Sequence, residues 1–199
     1  YNDPDFVKAA NCIKELVDMG AFIDGATGLS NDEASASFYA EQVPMYFTGS
    51  WMGGSIVTDA EKPDNFAVAP IPVVNSKNAS VTDFMGGGSD TLMVSANTKN
   101  KDLAAAAAFE ITRGVSKHAY LSGAGIPAWT VDYDASSVPA LTQQVADIAG
   151  KATSYTLWFD TLMSSDDAGE YLTLLQSLFA GDLKPEEFAA SMDKQLSKK

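Results

Sequence analysis

Three short runs of this chain are apolar at almost every position and are bounded by glycine or proline. They are Val43-Pro44-Met45-Tyr46-Phe47 before Gly49-Ser50-Trp51, Phe66-Ala67-Val68-Ala69 before Pro70-Ile71-Pro72, and Thr91-Leu92-Met93-Val94-Ser95 after Gly86-Gly87-Gly88-Ser89-Asp90. Runs this short and this continuous suit strands buried on both faces rather than amphipathic helices. The predicted strands are 43–48, 66–73 and 91–95. Around them the apolar spacing is helical. Asp3 and Pro4 cap and start a helix running to Met19, with Gly20 as its stop. Further helices are predicted over 31–42, where Asp32 and Glu33 favour an N-terminus, and over 53–60, 101–114, 116–121, 138–149, 167–180 and 185–196. Residues 75–83 read as a polar loop and 150–166 as irregular in part. Strands alternating with helices place the chain in the α/β class.

At 199 residues with 46% apolar and 20% charged content, the chain can bury a sizeable core. A formal charge of −13 leaves no stripe to neutralise phosphates, which argues against a nucleic-acid partner. Cys12 is the only cysteine, so no intrachain disulfide forms, and its helical apolar surroundings predict a buried, inert thiol. No apolar run reaches the roughly 18 residues of a membrane span. The opening Tyr1-Asn2-Asp3-Pro4 reads as the approach to a helix within a larger protein, so a fragment is expected.

Enzyme chemistry finds little purchase. His118 is the only histidine and sits in a helical context, which favours a bland surface or core role over a general base. One histidine and one cysteine cannot build a zinc site of the usual kind. In Gly49-Ser50-Trp51-Met52-Gly53 the serine and glycines are out of phase with a nucleophile elbow. Asp166-Asp167 and Glu186-Glu187 are sequence neighbours whose side chains diverge on a helix, unlike a glycosidase pair. Asp132-x-Asp134 lacks the further ligands of a calcium loop. The triple glycine is followed by a strand and no Lys-Ser/Thr, so it is no P-loop. It reads instead as a hinge or crossing segment, with Gly88, Ser89 and Asp90 available to a ligand. No catalytic residue, metal or cofactor is expected.

The aromatics carry more. A pyranose presents a face of C–H groups that packs on an indole ring, while carboxylates and amides accept its hydroxyl protons. Trp51, at a strand end before a glycine-rich turn, suits a stacking platform, the bland alternative being core filling. Trp158 has the same two readings, with Tyr155 and Asp160 nearby in sequence to meet hydroxyls. Trp129 follows Gly125-Ile126-Pro127-Ala128, a turn that simple apolar plugging would also serve.

Taken in order, these segments resemble the C-terminal half of a bacterial extracellular solute-binding protein of the carbohydrate type. Gly49-Ser50-Trp51 fits the family's Gly-Ser/Pro-Trp, and Val68-Ala69-Pro70-Ile71-Pro72 its strand ending in Pro-x-Pro. Gly86-Gly87-Gly88-Ser89 with Ala96-Asn97-Thr98-Lys99-Asn100 resembles its glycine-rich segment and the turn before a helix. Phe109-Glu110-Ile111-Thr112, Gly125-Ile126-Pro127-Ala128, Leu157-Trp158-Phe159 and the closing Gly181 to Phe188 complete the order. The resemblance implies a type II periplasmic-binding-protein architecture, of which this chain is mainly the C-terminal lobe. Residues 1–84 and 131–199 would form that lobe and 85–130 would cross to the other. It also implies a sugar or oligosaccharide ligand, handed to the transmembrane subunits of an ABC permease from a periplasmic or lipid-anchored, monomeric receptor. Trp51, Trp158, Gly88, Ser89, Asp90, Tyr155 and Trp129 would contact the ligand. Trp129 stands where relatives often carry a polar residue, which is a departure from the pattern. The rival readings are a receptor for a polyamine, peptide or anion, and a lobe of a carbohydrate-active enzyme.

Overall fold

In the computed structural model, which describes residues 1, 3–88 and 90–196, the helices begin and end where their caps dictate. The order is α1 (Pro4–Asp18), α2 (Asn31–Tyr39), α3 (Met52–Asp59), β1 (Asp83–Met85), α4 (Lys101–Ser122), α5 (Ala140–Ala149), β2 (Ser154–Thr156), α6 (Ser165–Ala180) and α7 (Pro185–Leu196). The Asp3 carboxylate accepts from Asp5 N at 2.8 Å and Pro4 occupies the first turn of α1, where no N–H is needed. At the start of α2, Ser30 Oγ accepts from Glu33 N at 3.2 Å while the Glu33 carboxylate accepts from Ser30 N at 2.8 Å. The Ser30 hydroxyl, which also donates to that carboxylate at 2.7 Å, and then the Ser30 amide hold the Glu33 carboxyl below its ordinary value. Ser164 caps α6 in the same way through Asp167 N at 3.2 Å, and Gly181 ends it with φ +82°.

Contacts divide the chain into two units, Tyr1–Ser35 with Leu157–Lys199, and Ala36–Thr156. In the first, α1, α6 and α7 surround Ala10, Leu178, Phe188 and Met192, with Phe6, Ile13, Leu174 and Leu175 packed against them. Phe6 stacks on Phe188 at 5.6 Å, the ring planes 9° apart. The helical stripe that buries Ala10 turns Cys12 outward: the thiol is exposed, contrary to the buried position predicted.

In the second unit, Met52, Ile56 and Ala60 close on Leu141, flanked by Phe38, Tyr39, Tyr46, Phe66 and Val68. Glycine makes this packing possible. Gly54 N donates to Gly123 O at 2.9 Å, and a Cβ at Gly54 would lie 2.2 Å from Ser122 O. Beside them the fully buried Thr142 donates to the same Gly123 carbonyl at 3.4 Å. The start of α3 thus rests directly on the last turn of α4.

The class is α/β, but helix-rich, with one two-stranded parallel sheet among the described residues, pairing Asp83 with Ser154, Phe84 with Tyr155 and Met85 with Thr156. None of the predicted strands 43–48, 66–73 and 91–95 forms a ladder among the described residues. A strand needs a neighbour about 4.8 Å away to bond its amides, and these runs have none. Tyr46, Phe66 and Val68 instead lean one face on the helices, while Met45 and Met93 lie open to solvent. The pair that does form starts at the last residue of the predicted 75–83 loop and takes its second strand from 150–166, the stretch read as irregular in part. Two helices predicted over 101–114 and 116–121 are one, α4, because Gly114 mid-helix costs only about 1 kcal/mol relative to alanine and does not break it. The helix predicted to 42 ends at Tyr39, before Glu41 adopts φ +56°.

Candidate functional site

Trp51 is the residue before α3, and its neighbour Met52 is buried in the second core. That anchor leaves the indole 54% exposed and turned back over Gly49, where a Cβ would come within 2.1 Å of a ring carbon. Only glycine leaves room for the ring there. The result is a half-open aromatic platform with a small-residue floor, the arrangement a sugar face requires.

The glycine segment and Tyr155 meet at the end of the sheet. Gly86 N donates to Thr156 O at 2.9 Å, extending the ladder beyond Met85, and φ values of +138° and +82° at Gly86 and Gly87 then turn the chain away. A Cβ on Gly87 would stand 3.1 Å from Tyr155 Cβ, so the loop lies close over that side chain. Gly88 and Asp90 are exposed. Ser89 lies outside the described residues. Tyr155 is half exposed, tilted toward Phe84 at 6.2 Å, and its hydroxyl donates to Ala149 O at 3.4 Å.

Asp83 anchors the opposite end of the sheet, where it pairs with Ser154. Its carboxylate accepts from Ser154 Oγ at 2.7 Å, Ser80 N at 2.6 Å and Thr153 Oγ1 at 3.3 Å. The Ser154 hydroxyl first, then the Ser80 amide, lower the Asp83 pKa from its ordinary value. A lowered carboxyl favours the folded state above its unfolded pKa and loses that contribution as pH falls through the folded one. The Ser154 and Ser80 amide resonances are therefore expected to titrate together, with a midpoint below that of free aspartate. A midpoint at or above the free value would remove Asp83 from this role.

Trp158, in the other unit, leads into the 3₁₀ turn Phe159–Leu162 and is 37% exposed. Its carbonyl accepts from Thr161 N at 3.2 Å and Thr161 Oγ1 at 2.6 Å. Phe159 anchors the turn edge-on to Phe6 at 6.3 Å and beside Tyr171 at 6.2 Å. Burial first, then nearby Asp160, raises the Tyr171 phenol. Gly86–Gly88 and Tyr155 are thus brought together, whereas Trp158 stands in its own unit.

Trp129 meets a different set. Its ring lies edge-on to Phe109 at 4.9 Å, beside a hollow of about 250 Å³ where Arg113 Nη2 donates to Asp132 Oδ2 at 2.7 Å. Arg113, Lys117 and Tyr133 were not singled out by sequence, because Arg113 and Asp132 are nineteen positions apart and meet only when the chain folds back after α4. Asp134, the other half of Asp132-x-Asp134, accepts from Ser136 N at 2.9 Å and closes a turn. His118 is exposed on α4. Among the described residues no cluster of His, Cys, Asp and Glu is arranged to hold a metal, and no helix is long and apolar enough to cross a membrane.

The sequence profile described as "Bacterial extracellular solute-binding protein" matches residues 2–109, more than half of the chain. The chain belongs to that family. A solved structure from work on xylan utilization by the thermophilic bacterium Caldanaerobius polysaccharolyticus is similar over all of this chain, with 32% identity and a TM-score of 0.90. A chitin oligosaccharide binding protein is similar over 98% of it, with 23% identity and a TM-score of 0.83, a likeness of fold. The chain covers 51% and 49% of those two structures, about half the length of each. No curated protein sequence matches.

Proposed function

We propose that this chain is the C-terminal portion of the substrate-binding component of an ABC importer. It captures a sugar or oligosaccharide outside the membrane and delivers it to the permease, without catalysis. The observation that carries the reading is Trp51, its ring open to solvent over Gly49 in a member of the solute-binding family. The neighbours point to the same class of solute, one named for chitin oligosaccharide and the other studied for xylan utilization.

In the whole protein, residues 1–84 and 131–199 form one lobe and 85–130 cross to the other. The two lobes close on the ligand by a hinge. Trp51, Trp158 and Trp129 meet sugar faces, while Gly88, Ser89, Asp90 and Tyr155 reach hydroxyls. The receptor is an extracytoplasmic monomer, either free in the periplasm or lipid-anchored. Its partners are the ligand and the permease's transmembrane subunits.

The test is thermal unfolding of the two-lobed protein against mono- and oligosaccharides. A bound glycan at about a hundred times its Kd adds roughly 2.7 kcal/mol, several degrees in midpoint. Trp51→Ala and Trp158→Ala are each expected to abolish the shift. A protein indifferent to every glycan but shifted by spermidine, a peptide or an anion would replace this reading with a receptor for that solute.

A further inference from the structure

The runs 43–48 and 66–73 form no ladder, yet the second of them is buried as a strand is. Phe66, Val68 and Pro70 are partly buried, while Ala67, Ala69 and Ile71 between them are exposed. A period of two marks an extended chain with one face on a support. Phe66 has the matching backbone, φ −99° and ψ 143°. The support is the second core, where Phe66 and Val68 pack against Met52, Ile56 and Leu141. Tyr46 packs against the same cluster, while its neighbours Met45 and Phe47 are 84% and 72% exposed.

Both the outward face and the backbone of these runs are open. Met45, Phe47 and Ile71 present large apolar groups to water, the mark of a surface that another chain covers. Among the described residues, Met45, Phe47, Ala67 and Ala69 make no backbone-to-backbone hydrogen bond. Val68 N donates to Gln144 Oε1 at 3.4 Å. Successive amides of a strand point to opposite edges, so the open edge is that of Ala67 and Ala69. Neither run holds a charged residue, the usual defence of a strand edge that stays in water. Pro44 and Pro70 have no N–H to give, which confines pairing to 45–48 and 66–69.

We propose that 45–48 and 66–69 are strands of a sheet whose other strands come from the remainder of the longer receptor. That remainder supplies extended apolar segments that pair along the Ala67–Ala69 edge and cover Met45 and Phe47. The solved structure that matches this whole chain at a TM-score of 0.90 is about twice as long, the chain covering 51% of it. As many residues again are thus available to cover the runs. A second copy of this chain would bring only the same proline-interrupted edges. The inference rests on the reading of the chain as part of a two-lobed protein, and it concerns how the lobe is completed rather than what it binds.

Hydrogen exchange of the two-lobed protein, without sugar, tests it. The Ala67 and Ala69 amides are expected to exchange about 100-fold or more slower there than in the 199-residue chain, independently of protein concentration. Phe47→Asp puts a charge on the covered face. It is expected to lower the urea midpoint of the two-lobed protein by about 1 M or more, and that of the 199-residue chain by less than about 0.3 M. Exchange at Ala67 and Ala69 as fast in the two-lobed protein as in the shorter chain overturns the proposal. So do equal midpoint shifts in the two proteins, or protection already present in the 199-residue chain, which a rise with concentration would assign to a second copy. A two-lobed protein with both amides protected but indifferent to every glycan keeps this inference and loses the proposed sugar. One stabilised by a glycan with both amides unprotected loses only the inference.

Discussion

Truncating Leu178 to alanine is expected to cost the first unit about 2–5 kcal/mol of stability, toward the upper end of that range. Leu178 has no exposed surface and lies at the centre of a cluster with Ala10, Phe188 and Met192. The loss combines the removed transfer free energy with the cavity left where α1, α6 and α7 converge. Collapse is restricted, because Phe6 and Phe188 are already stacked and Met192 is 1% exposed. Native-state hydrogen exchange at the α6 amides measures it: 2–5 kcal/mol is a drop in protection of roughly 30- to 5,000-fold. A loss under about 1 kcal/mol would show that this position is not where the unit's stability lies.

The second large effect is expected at Gly123, where alanine meets two penalties at once. Its φ is +80°, a left-handed conformation costing a residue with a Cβ about 1–2 kcal/mol. The added carbon would also lie 2.6 Å from Gly54 N and 2.8 Å from its Cα, backbone atoms that cannot swing aside. Overpacking of this kind typically costs a further 1–3 kcal/mol. Moving the chains apart breaks the 2.9 Å bond from Gly54 N to Gly123 O and strands buried Thr142, which donates to the same carbonyl. Gly123→Ala is therefore expected to lower stability by about 2–5 kcal/mol, read by denaturant unfolding with α3 and α5 amide exchange as the local probe. Gly114→Ala is the control, since a Cβ there meets nothing and helix propensity predicts a slight gain. Equal effects at the two glycines would remove the close backbone approach as the explanation.

That contrast between Gly114 and Gly123 shows where sequence reasoning stops. Each stands at or just past the end of a predicted helix, 101–114 and 116–121, and only their surroundings separate them: a Cβ at one meets nothing inside α4, while the other is the αL cap that receives α3. The caps Asp3, Ser30 and Ser164 needed no tertiary information, because each satisfies an amide two or three residues away. Most helix positions therefore followed from local chemistry. The apolar runs 43–48, 66–73 and 91–95 did not become strands, because a strand is defined by a partner remote in sequence, and apolar content cannot say whether one is present. Cys12 was misplaced for a related reason: its helix was right, but which stripe faces the core depends on what packs there.

The site divides along the same line. Motif order by itself pointed to the solute-binding family, and Trp51, the glycine turn and Trp158 were visible as aromatics and small residues at the ends of elements. That the Trp51 ring lies over Gly49, that Tyr155 sits under Gly87, and that Arg113, Asp132, Tyr133 and Trp129 share one hollow were decided only by the folded chain. Caps and periodicity act over a few residues and so are written in the sequence. Ring-on-backbone contacts and ion pairs nineteen residues apart depend on turns whose direction the packed helices set.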